Sequence, residues 1–101
     1  MQSDSLVHVF GESLNLICSI NNSIANKTYA WNRQVGELKA ELIYFRSILI
    51  NTTKFEIIGD GSTLLIKNLN EVDIRDYFYY CSIGVIYSAC KNILDQNNTV
   101  G

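Results

Sequence analysis

The chain has 101 residues, a length that suits one domain with a core of ordinary size, and residues 1–101 are expected to form that single domain. Apolar residues make up 48% and charged residues 18%, a globular composition that excludes a disordered chain. The net charge is −2 and the eight Lys and Arg form no run, so no nucleic-acid partner is expected: phosphate binding needs concentrated positive charge.

The first ten residues, MQSDSLVHVF, lack the basic start and apolar stretch of a signal peptide. No apolar run approaches the ~20 residues of a membrane span. Attachment to a membrane is therefore expected only through segments outside this sequence. The run ESLNLIC then alternates with period two, placing Leu14, Leu16 and Cys18 on one face. ELIYF is rich in aromatic and β-branched residues, as strands prefer. KFEI and STLLIKNL alternate again, with Phe55 and Ile57 on one face of the first and Leu64 and Ile66 on one face of the second. Between them GDGS carries an Asp-Gly hairpin signal. DYFYYCSI is a further strand, and Gly84 turns the chain from it into VIYSACKNIL. This spacing predicts about eight or nine short strands, an all-β sandwich of two antiparallel sheets.

Two features point outside the cell. Asn-x-Ser/Thr triplets begin at Asn21, Asn26, Asn51 and Asn97, each a candidate glycosylation acceptor. Cys18 and Cys81 are far apart in the chain, with Cys90 left over, and His8 is the only histidine. That set lacks the ligand spacing of a zinc site, so no metal or cofactor is expected. With one histidine and no phosphate-binding glycine loop, no enzymatic activity is expected either.

Taken in order, these pieces resemble the V-type domains of the immunoglobulin superfamily. GESLNLIC resembles the second strand with its cysteine, and Trp31 follows Cys18 by 13 positions in YAWNRQ. ELIYF resembles the C′ strand, KFEI and STLLIKNL the D and E strands, LNEVD the E–F corner, and YYC the end of strand F. The resemblance implies a disulfide between Cys18 and Cys81 with Trp31 packed on it. Leu16, Leu64, Ile66 and Tyr79 complete the implied core. Tyr79 stands at the tyrosine-corner position, its hydroxyl expected to bond a nearby backbone group. Asp73 is expected to pair with Lys54, with Asp76 as the competing partner.

The family's Phe-Gly-x-Gly joining motif is absent after the third loop. Within the superfamily the chain is most similar to the alpha chain of the T-cell co-receptor for class I MHC. That resemblance implies a homodimer on the cell surface, paired through Asn32, Gln34, Tyr44, Tyr80, Ser82 and Tyr87. By alternation Asn32, Gln34, Tyr80 and Ser82 point outward. Class I MHC is the implied protein ligand, met by loop residues Lys27, Thr28, Arg46, Ser47, Ile48, Gly84, Val85 and Ile86. An innate V-type receptor of fish type and a viral immunoglobulin-like decoy are the alternative readings. Cys90 is open to three fates: an intermolecular bridge, a partner outside this sequence, or a free and buried thiol.

Overall fold

Alternation decides the architecture, because each strand can bury only one of its faces. A computed structural model describes residues 10–20, 28–36, 39–93 and 99–100. Within them lie β1 (Leu14–Cys18), β2 (Tyr29–Val35), β3 (Lys39–Phe45), β4 (Ile48–Leu49), β5 (Phe55–Ile58) and β6 (Thr63–Ile66). A short helix, α1 (Glu71–Arg75), follows, then β7 (Tyr77–Ile83), β8 (Ile86–Tyr87), β9 (Lys91–Asn92) and β10 (Thr99–Val100). One sheet has the order β10-β1-β6-β5. The other runs β4-β3-β2-β7-β8, with β9 also paired to β7. All pairings among these strands are antiparallel except that of β1 with β10, which is parallel.

The two sheets face one another across an apolar layer. Leu16, Trp31, Ile43, Leu64, Ile66, Tyr79 and Cys81 are fully buried in it. Burying each large apolar side chain contributes roughly 1.5–3 kcal/mol. The Cys18–Cys81 disulfide ties β1 of one sheet to β7 of the other, with Cα atoms 5.8 Å apart. This all-β sandwich with its inter-sheet bridge is consistent with an immunoglobulin-like fold. The indole of Trp31 donates through Nε1 to the carbonyl of Gly61, 2.8 Å away. Gly61 has a φ of +103°, and a Cβ there would lie 3.2 Å from the Tyr44 ring. The expected turn between β5 and β6 thus serves as the seat of the tryptophan.

The E–F corner departs from a plain turn by forming α1. Its start is a capping box: the Asp73 amide donates to Asn70 Oδ1 at 3.0 Å, and the Asn70 amide to Asp73 Oδ2 at 3.1 Å. Asp73, only 2% exposed, also takes the Lys54 ammonium on Oδ2, so Asp73 and not Asp76 is the partner. Lys54 donates in addition to the Asn68 carbonyl. One side chain therefore caps the helix and anchors the corner to the start of β5.

The tyrosine corner does not form as expected. Tyr79 is fully buried, but its hydroxyl makes no hydrogen bond among the described residues. In the corner itself the Asn70 and Val72 carbonyls accept from the amides of Ile74 and Asp76. Burial, followed by the nearby Asp73 carboxylate, pushes the Tyr79 phenol well above its ordinary 10.0, with Arg33 opposing the rise. Arg33 closes this end of the core. Its guanidinium is held by Glu41 Oε1 through Nε at 2.9 Å and Nη2 at 2.6 Å, and lies 4.0 Å from the centre of the Tyr77 ring.

A candidate recognition face

The outward side of the β4-β3-β2-β7-β8 sheet is built from side chains that the core does not take. Cross-strand register sorts them into rows. One row reads Ile48, Phe45, Ala30, Ser82, Tyr87. The next reads Leu42, Asn32, Tyr80, and a third Ala40, Gln34, Phe78. Leu42, Phe45, Ile48, Phe78 and Tyr87 are all exposed large apolar residues. The Tyr80 and Tyr87 rings sit 5.9 Å apart, and the Arg46 guanidinium lies 5.1 Å from the centre of the Phe45 ring.

A bulge in β3 reassigns one expected face residue. Between Trp31 and Asn32 the register with β3 slips, so Trp31 pairs with Tyr44 and Asn32 with Leu42. The two-against-one pairing flips the strand beyond it. Tyr44 consequently packs on the core and against Gly61 instead of facing outward. Phe45 takes the outward place opposite Ala30. Plain alternation cannot reveal this, because the extra residue leaves no mark in the pattern.

Ser82 takes its place in the outward row, as alternation predicts, but it is buried there. Its row explains why: Ser82 and Ala30 are small, and they lie between the larger Phe45 and Tyr87. Asn32, Gln34 and Tyr80 are half-buried on this face, as alternation predicts, and Tyr87 is exposed.

Cys90 is free within this chain and exposed, which corrects the expectation of a buried free thiol. Its Sγ lies 4.0 Å from Gln34 Oε1, beside an open hollow of about 440 Å³ lined by Gln34, Gly36, Phe78 and Cys90. Partial burial pushes the thiol above its ordinary 9.0, so it stays protonated and weakly nucleophilic near neutral pH. Just before it the ladder is irregular. Ser88 donates its amide to the Cys81 carbonyl at 2.9 Å, while its Oγ accepts from the Cys81 amide at 3.0 Å. A serine side chain there stands in for a backbone carbonyl, between β8 and β9.

The loop residues cluster at the ends of this face. Arg46 and Ser47 form the two-residue link from β3 to β4 with φ of 50° and 67°. Such a turn prefers Asn or Gly at both places, so it is held here at some cost in backbone energy. Gly84, with a φ of 59°, supplies the equivalent bend between β7 and β8. It leaves Val85 91% exposed at the tip, and Ile48 is 71% exposed at the other end of the row. Ile86 and Thr28 are exposed as well. Lys27, Asn21, Asn26 and Asn97 lie outside the described residues. Phe78, Leu42 and Phe45 are face residues that the sequence reading missed. Phe78 lies two positions from Tyr80, which was its available signal; the bulge hides Leu42 and Phe45.

Among the described residues no three His, Cys, Asp or Glu side chains come together as a metal site. No protein-family model matches this chain, and no curated protein is significantly similar to it.

Proposed function

We propose that this chain is a V-type immunoglobulin-like recognition domain displayed outside the cell. In this reading it resembles the alpha chain of the T-cell co-receptor for class I MHC. It pairs with a second copy through the outward face of β3, β2, β7 and β8, and its end loops meet a class I heavy chain. The observation that carries the proposal is that Leu42, Phe45, Phe78 and Tyr87, all exposed, share one face with the half-buried Asn32, Gln34 and Tyr80. A folded monomer gains nothing from leaving such side chains in water, whereas a partner surface would cover them. Gln34 lies on β2, the central strand of that face, where a two-fold axis could set it against its own copy, able both to donate and to accept. Contacts through a few loop residues give weak binding to the ligand.

A second reading, an innate receptor or viral decoy that binds another protein with this face as a monomer, has its own support. Tyr44 turns inward, which removes one of the six residues expected at a self-pairing interface, and Ser82 offers that face little surface. Sizing by sedimentation, followed by titration with class I MHC from the source species, separates the two. A dimer that binds class I supports the co-receptor reading, and a monomer that ignores class I supports the other. Non-reducing electrophoresis reports whether Cys90 bridges two chains.

A further inference from the structure

We propose that Asn51 carries an N-linked glycan and that this glycan covers the free edge of β4. The inference rests on the extracellular reading, because the oligosaccharide donor meets only chains that enter the secretory pathway.

The acceptor is prepared in three ways. Asn51, Thr52 and Thr53 are exposed, in the link from β4 to β5. Thr53 donates its hydroxyl to Asn51 Oδ1 at 2.8 Å. This bond joins the two side chains that define the sequon, and it leaves the Asn51 Nδ2 directed to no acceptor among the described residues. The backbone beneath is fixed: the Asn51 carbonyl accepts from the Lys54 amide at 2.9 Å and from the Phe55 amide at 3.0 Å. Asn51 holds a φ of 50°, a conformation that asparagine tolerates better than most residues. A chain growing from Nδ2 therefore projects into solvent without displacing the core.

The transfer is balanced with a lipid-pyrophosphate oligosaccharide as co-reactant. The Asn51 carboxamide nitrogen bonds to the anomeric carbon of the sugar. The bond from that carbon to the pyrophosphate oxygen breaks, the lipid pyrophosphate leaves, and the amide loses one proton.

The position gives the glycan a task. β4 ends its sheet, and among the described residues no strand pairs with its other side. Ile48 on β4 is exposed, and so is Ile50 just beyond it, whose amide donates to the Ile43 carbonyl at 3.0 Å. The strand is only two residues long, which itself limits edge pairing, and its exposed Ile48 is the apolar part left to cover. A glycan two residues beyond Leu49 fills that space, and it directs protein contacts toward the β7–β8 side of the face.

The test expresses the 101-residue chain behind a cleavable signal peptide in eukaryotic cells. Trypsin cutting after Arg46 and Lys54 releases Ser47–Lys54, in which Asn51 is the only sequon. The expected result is a glycan on this peptide, lost in Thr53→Ala and kept in Thr53→Ser. An unmodified peptide from the secreted, disulfide-bonded protein overturns the site. That result would leave class I titration untouched, so failure here is distinct from failure of the recognition reading. For the edge role, the folded glycoprotein is trimmed to a single sugar by an endoglycosidase, and Thr53→Ala is the second route. Both should form species larger than a dimer, and adding Ile48→Lys should remove those species. Unchanged size after trimming and in Thr53→Ala contradicts the edge role.

Discussion

The two faces of the β3-β2-β7 sheet share one backbone and have opposite fates. On the inner face Trp31, Ile43, Tyr79 and Cys81 are each 0% exposed, and the disulfide locks them to the second sheet. On the outer face Leu42 and Tyr87 remain more than half exposed, though they are apolar or aromatic too. Hydrophobicity alone does not separate these sets; the opposing sheet does. The inner face accounts for the fold. The outer face takes little part in that packing, Tyr80 being the member that reaches the core cluster.

The sharpest way to break the comparison is to remove the inner tie. Replacing both Cys18 and Cys81 with alanine should lower stability by about 4 kcal/mol, as expected for a bridge closing a separation of 63 residues. Urea denaturation measures this; a loss under about 1 kcal/mol would mean that the bridge is dispensable to the inner face. Next in size is Asp73→Ala, which strands the Lys54 ammonium and removes the cap of α1. We expect a loss of about 3 kcal/mol, read from the same denaturation curves. An unchanged thermal midpoint would remove this pair from the account.

A smaller effect tests Tyr79. Its folded phenol holds its proton beyond the ordinary 10.0, so the unfolded chain ionises first. Its contribution to stability is full below pH 10.0 and is lost as the pH rises through the raised folded value. Tyr79→Phe should weaken that alkaline loss. At neutral pH it should change stability by less than about 1 kcal/mol, since the hydroxyl has no hydrogen bond to lose. An alkaline profile identical in both proteins would refute the role given to Tyr79. The smallest effect on stability belongs to the outer face. Leu42→Arg should stay within about 0.5 kcal/mol of the parent, because nothing in the core touches that side chain's place.

How much of this could be read from the residues follows the same division. Leu16, Cys18, Leu64 and Ile66 alternate cleanly, and their burial follows from period two alone. The Lys54–Asp73 pair was legible only through the resemblance to V-type domains, which left Asp76 as a competing partner. The β3 bulge was not, because a one-residue slip moves Tyr44 to the opposite face without altering composition. Helix α1 was hidden for a related reason: Asn70 and Asp73 read as ordinary turn residues until the capping box joins them. Ser82 points outward as alternation predicts; its burial was not legible, because that depends on its neighbours in the row, which are distant in the chain. The hydroxyl of Tyr79 failed because its bond depended on the path of the corner backbone, which the pattern of residues does not record.

The outer face is tested most directly by sedimentation equilibrium of the parent chain and the Leu42→Arg variant across a range of concentrations. We predict that the parent mass climbs toward twice the monomer value while the variant stays at one. A parent that remains monomeric throughout, or a variant that dimerises just as readily, would contradict pairing through this surface.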